Sequence, residues 1–197
     1  MIKIGTSGFS FKDWKGTVYP QKLALKDALG YYEDELGFDC VEINSTYYTL
    51  ISAQSFEGME QKTKPGFEFV VKGYKGITHD PFDPRMSEAE KPDHTQVKEN
   101  ISRFLYSLQP LVEKNKLGAI LLQFPVFFKS TQRNKDYILE CKEAFNSTPV
   151  VIEFRSRDWA TPETFEFLKT NTGSTPPPRN AIIIYIPTKN WNPTSPK

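Results

Sequence analysis

The sequence predicts an α/β fold built on a parallel sheet, and three observations predict it. Short β-branched runs alternate with longer stretches of helical periodicity about five times along the chain. The side chains of each run are apolar on one face, while the other face carries a polar residue at or near the C-terminal end. The turn after the first run, Thr6-Ser7-Gly8-Phe9, lacks a Gly-x-Gly-x-x-Gly pattern, so a dinucleotide-binding doubly wound sheet is disfavoured. Parallel strands with helical crossovers leave two architectures, an open doubly wound sheet or a closed (β/α)₈ barrel.

The elements follow in order. Residues 2–6 form a first strand. Residues 23–36 read as a helix, with Gly37 where helices commonly end. Residues 39–44 are a second strand, and residues 52–62 a helix with Ser52 as N-cap. Pro65-Gly66 turns the chain into a third strand over 67–72. A polar loop over 73–93, containing Pro81, Pro84 and Pro92, is long enough to expect a function for it. Val97, Ile101, Phe104, Leu105, Leu108, Leu111 and Val112 recur at helical spacing and predict a helix over 94–115. A fourth strand over 118–125 precedes a helix over 132–145. A fifth strand spans 149–155, and Pro162 opens a helix to residue 169. Past this point the pattern breaks. A Pro-rich divergent tail covers 171–197, with a further strand over 181–186. The division is therefore a domain over 1–170 followed by that tail.

The totals exclude several classes of function. A net charge of +1 and a pI near 7.7 give no pull toward nucleic acid or an anionic membrane. No apolar window reaches the roughly 18–20 residues of a membrane span, and the N-terminus has no secretory pattern. Cys40 and Cys141 lie far apart without metal-ligand spacing, which reads as reduced thiols in a cytoplasmic protein rather than a disulfide. Aromatic residues make up 14% of the chain, enough to supply both an aromatic core and stacking surfaces around a ligand.

Strand alternation then picks out candidate site residues. Thr6, Glu42, Asn44, Lys72, Gln123, Glu153 and Arg155 share one parity at the C-terminal ends of their strands, where ligands of parallel α/β proteins bind. Glu42 and Glu153 are the best acid–base pair on offer. Lys72 can bind an anion, act as a base or form a Schiff base, or it can pair with Glu42 on the neighbouring strand. Trp14 and Tyr47 either stack on a ligand or pack over the strand ends. His79 lies in the long loop, where a lone histidine is more often solvated than engaged. The bland alternative is a self-neutralising network of Glu42, Glu153, Lys72 and Arg155.

The motifs also resemble a known family. Gly5-Thr6-Ser7-Gly8-Phe9-Ser10-Phe11-Lys12-Asp13-Trp14-Lys15-Gly16 with Tyr19-Pro20 resembles the opening of the YecE-like family (domain of unknown function 72). Val41-Glu42-Ile43-Asn44-Ser45-Thr46-Tyr47-Tyr48 is similar to its second-strand block. So are Pro65-Gly66-Phe67 through Lys72 with Ile77-Thr78-His79 to its third, and Leu121-Leu122-Gln123-Phe124-Pro125 to its fourth. Glu153-Phe154-Arg155 with Asp158-Trp159 resembles the fifth, except that Ser156 stands where the family usually carries His. The resemblance spans residues 1–169. It implies a TIM-type barrel, here incomplete at about five βα units, and supplies no activity. Nothing after Thr170 resembles the family's later strands, which reads as truncation, by a shifted reading frame among other routes.

The functional expectation is a barrel protein acting on a small polar or anionic ligand. Glu42, Lys72 and Glu153 are the candidate catalytic residues. Thr6, Trp14, Asn44, Tyr47, His79, Gln123, Arg155 and Trp159 are the candidate ligand-binding residues. No cofactor, metal, nucleic acid or membrane partner is expected. A binding protein without chemistry and a truncated inactive fragment remain the alternatives.

Overall fold

The computed structural model describes residues 2–172 and 184–185. Six parallel strands form one sheet in the order of the sequence: β1 (Gly5–Thr6), β2 (Cys40–Ile43), β3 (Glu68–Lys72), β4 (Leu117–Phe124), β5 (Val150–Phe154) and β6 (Ile184–Tyr185). Between them run α1 (Ala28–Asp34), α2 (Ala53–Glu60), α3 (Lys75–Thr78), α4 (His94–Ser107), α5 (Gln109–Glu113), α6 (Gln132–Phe145) and α7 (Pro162–Thr172). When each strand pairs with the next and the crossovers share one hand, the helices fall on a single face. The core shows this. Val41, Ile43, Phe69, Val71, Ile120, Leu122, Phe124, Ile152 and Phe154 point to that face and are buried with Leu29, Phe56, Val97, Phe104, Ile138 and Leu168 from the helices.

A doubly wound sheet is thereby excluded for this segment, since it needs helices on both faces. The sheet is open. β1 and β6 lie at its edges, and no pairing closes it among the described residues. The α/β class with a parallel sheet matches the expectation from sequence.

Local chemistry sets the element boundaries. Ser52 caps α2 by accepting the backbone N–H of Ser55 at 3.2 Å, as its position predicts. After α1 the amide of Gly37 returns to Glu33 O, an αL closure with Gly37 at φ +73°, and that of Phe38 returns to Tyr32 O. Several elements differ from the sequence reading. The first strand shrinks to Gly5–Thr6, with Ile2 and Ile4 exposed. The helix over 23–36 begins as a 3-10 turn at Leu25–Asp27 and becomes α-helical at Ala28. The helix over 94–115 is two helices, because Pro110 lacks the N–H that would continue the ladder past Leu108. The loop over 73–93 is not structureless. It holds α3 and a 3-10 turn at Asp80–Phe82, and ends at a capping box between Asp93 and Gln96. Of the strand expected over 181–186, Ile184–Tyr185 pair in parallel with Ile152 and Glu153. The rest of that strand and of the tail lies outside the described residues. α7 runs to Thr172, across the boundary expected at residue 170. Cys40 and Cys141 are free thiols.

One buried charge locks the N-terminal end of the sheet. Lys116, 3% exposed, donates to the carbonyls of Glu60 at 2.8 Å and Thr63 at 2.7 Å and to Thr63 Oγ1 at 3.0 Å, and pairs with Glu60 Oε1 at 2.8 Å. Its ammonium thus spends its donors on the end of α2, and so ties that helix to the start of β4. Lys116→Ala strands the Glu60 carboxylate and two carbonyls, and should cost about 3 kcal/mol in urea unfolding. A loss below about 1 kcal/mol, the scale of an exposed pair, would mean that the tie carries no weight.

Candidate functional site

The C-terminal strand ends gather polar side chains on the face without helices. The centre is a connected chain across three strands. Lys72 Nζ donates to Gln123 Oε1 at 2.9 Å, and Gln123 Nε2 donates to Glu153 Oε2 at 2.8 Å. Glu153 Oε1 lies 2.5 Å from Arg155 Nε. The β3–β4 and β4–β5 registers make this possible, since Lys72 sits beside Leu121 and Gln123 directly beside Glu153. Thr46, fully buried, accepts no neighbour's charge but donates to the carbonyl of Lys72 at 2.6 Å, and so fixes the backbone from which the lysine projects.

A second cluster stands at β1 and β2. Ser7 donates to Glu42 Oε1 at 2.7 Å and accepts from Asn44 Nδ2 at 2.7 Å. Tyr47 packs against the lysine of the first. Its ring lies 5.2 Å from Lys72 Nζ and meets His79 edge-on at 4.8 Å. The Lys72–Glu42 ion pair expected as the bland alternative is not formed. Lysine is left with an uncharged amide oxygen and a ring face as its direct partners, while Glu42 turns to serine.

The electrostatics follow from this placement. Burial lowers the Lys72 pKa; Glu42 and Glu153 oppose the shift, and Arg155 adds to it. Burial also pushes His79 down to about 4, with the Lys72 charge next in effect, so its ring is neutral near pH 7. The Tyr47 phenol is held above its ordinary value by burial and then by Asp80. His79 is therefore not the solvated loop histidine of the sequence reading. α3 and the 3-10 turn after it carry its ring onto Tyr47, with Thr78 Oγ1 2.9 Å from Nδ1.

Other candidates go elsewhere. Trp159 is fully buried, donates its indole N–H to Phe128 O at 2.8 Å and stacks on Phe154 at 4.2 Å. That is the helix-covered face, so Trp159 packs the core and stands apart from the strand-end cluster. Trp14 belongs to an aromatic group with Phe11 at 5.0 Å and Tyr19 at 5.4 Å. The Thr6 hydroxyl is spent on Gly8 O at 2.6 Å and the Tyr32 hydroxyl at 3.0 Å, shaping the loop that carries Ser7. Ser7 and Thr46 went unnoticed in the sequence, because both lie just beyond a strand, where alternation no longer predicts direction. A cleft of about 510 Å³ at the opposite end, lined by Glu68, Leu117, Gly118 and Pro149, gathers no comparable set, and its Glu68 is paired with Lys3 at 3.6 Å. Among the described residues no three His, Cys, Asp or Glu side chains come together as metal ligands.

Comparison with known proteins places this arrangement. The family model described as "Protein of unknown function DUF72" matches residues 3–174. The chain belongs to the DUF72 family. This is the family whose motifs its sequence resembles. The DUF72 chain is 32% identical to the UPF0759 protein YunF of Bacillus subtilis (strain 168) over 171 residues, covering 84% of this chain and 55% of YunF. The crystal structure of the DUF72 family protein TM1631 from Thermotoga maritima MSB8 is similar with a TM-score of 0.73 at 39% identity, over 87% of this chain and 62% of that one. A crystal structure of the DUF72 family protein EF0366 from Enterococcus faecalis V583 is similar with a TM-score of 0.69 at 28% identity, over 87% and 58% of the respective chains. The DUF72 chain thus spans roughly three fifths of the length of these relatives.

The buried neutral imidazole has a consequence for stability. The unfolded chain binds a proton at His79 near pH 6.5, whereas the folded chain does so only near pH 4, so acidification through this window favours unfolding. The melting temperature should fall less steeply between pH 6.5 and 4 in His79→Gln than in the wild type. Parallel slopes would show that the ring titrates freely in the fold.

Proposed function

We propose that this DUF72 segment forms a binding site for a small polar, anionic ligand at the C-terminal ends of its strands, with Glu42, Lys72 and Glu153 able to act on it by proton transfer. One observation carries the reading. Glu153 is 7% exposed, and its Oε1 has no hydrogen bond among the described residues, its contact there being the ion pair with Arg155 Nε at 2.5 Å. A buried carboxylate oxygen in this state has accepting capacity left, which a ligand hydroxyl or amine donating to it would use. Lys72 and Arg155 flank the same place with positive charge. The guanidinium of Arg155 is about half exposed and has no further partner among the described residues. Asn44 and Gln123 would orient the ligand, and Tyr47 with His79 would wall it.

The wider architecture supports the same reading. Strands in sequential order with helices on one face are the arrangement that the first half of a (β/α)₈ barrel requires. We read the open sheet as an arc of such a barrel, with its polar face turned toward what would be the interior. The greater length of the relatives agrees with this, and makes the activity of a whole DUF72 protein a proposal here. The two free thiols support a cytoplasmic setting.

Thermal-shift titration with a panel of small carboxylates and inorganic phosphate tests the site. At least one anion should raise the melting temperature of the wild type, while Lys72→Ala and Glu153→Gln should lose that rise. An undiminished rise in both variants would place the ligand elsewhere.

A further inference from the structure

The surroundings of Lys72 are unusual for a lysine that merely neutralises charge. Among the described residues its one hydrogen bond goes to an amide oxygen, and the face of Tyr47 lies beside it. The two nearby carboxylates are engaged by other groups, Glu42 by Ser7, and Glu153 by Gln123 and Arg155. An ammonium with no carboxylate in contact and a partly buried stem loses its proton more readily than a solvated one, and a neutral amine is a nucleophile. Across Gln123 from it lie Arg155, whose Nε pairs with Glu153 and whose outer nitrogens have no partner among the described residues, and Glu153 Oε1, which accepts no hydrogen bond among them.

Resting on the anion-site reading above, we propose that Lys72 forms an imine with a small 2-oxo acid whose carboxylate is held by Arg155. The neutral Nζ adds to the ketone carbon, forming the C–N bond as the carbonyl π pair moves to oxygen, which takes a proton from solvent. The resulting carbinolamine hydroxyl is the donor that Glu153 Oε1 lacks. Nitrogen gives up its proton to the Glu153 carboxylate, which returns it to the departing hydroxyl. Water leaves as the nitrogen lone pair forms the C=N bond, and the product is the protonated imine with no net redox change. The positive charge of a protonated imine then lies near Glu42 and Glu153, the groups whose charges already favour a cation at Lys72. Tyr47 and His79 would cover the adduct and limit its hydrolysis. Burial of the lysine also fits, because it keeps the amine reactive nearer neutral pH than the surface lysines.

Incubation of the purified chain with pyruvate and sodium cyanoborohydride, followed by peptide mass spectrometry, tests this. The reduced adduct should appear on Lys72 several-fold faster than on any other lysine, with a pH profile displaced to lower pH than theirs. Lys72→Arg keeps the positive charge but cannot form an imine, so it should retain pyruvate-induced thermal stabilisation and lose the adduct. Stabilisation of the wild type by pyruvate without an adduct at Lys72 would overturn the imine and leave the anion site standing. Absence of both stabilisation and adduct would overturn the imine as well, and stabilisation by none of the carboxylates or phosphate would remove the site with it. Labelling spread evenly over the surface lysines would equally rule out the proposal.

Discussion

A parallel sheet whose strands follow the order of the sequence and whose crossovers all have the same hand is covered by helices on one side only, and this constraint organises the described residues. The side facing the helices must be apolar, and it is, from Val41 and Ile43 through Phe124 to Phe154. The other side receives no helix from this segment. Its residues are then free to be small, polar or charged, and the polar ones collect where the strands end. Fold and candidate site are in this sense two faces of the same alternation.

The aromatic residues divide along the same boundary. On the helix side, Phe124, Phe128, Phe154 and Trp159 form a run of stacked rings with the Trp159 N–H satisfied by a carbonyl. They supply burial, and a ring pair adds only a modest increment beyond its area. On the polar side, Tyr47 and His79 are partly exposed and touch a charged group or each other. Aromatic content alone could not have told packing rings from site rings. Trp159 is the clearest case. The resemblance of the block from Glu153 to Trp159 to the family's fifth motif suggested the site, but a short 3-10 turn swings the indole to the other side of the sheet.

The contrast between Lys72 and Lys116 shows how differently a lysine can be held. Lys116 directs its ammonium to two carbonyls, a hydroxyl and the Glu60 carboxylate, so every donor is spent on the protein. Among the described residues Lys72 makes a single hydrogen bond, to an amide. The first arrangement fixes structure at the N-terminal end of the strands. The second leaves binding capacity at the C-terminal end, the end at which loops of α/β proteins assemble their sites.

The sequence by itself determined the α/β class, the order of five strands, the Ser52 and Gly37 helix ends, and the shared parity of Glu42, Lys72, Gln123 and Glu153. These follow from period, capping chemistry and turn residues, all of which act within a few positions of the chain. Only the tertiary structure decided which of those groups touch. That Lys72 meets Gln123 rather than Glu42 depends on the register between strands 51 residues apart. Ser7, Thr46 and His79 took their places through loop paths that no local pattern encodes. Local interactions choose the direction in which a side chain leaves its strand, but its partner is chosen by packing over the entire sheet.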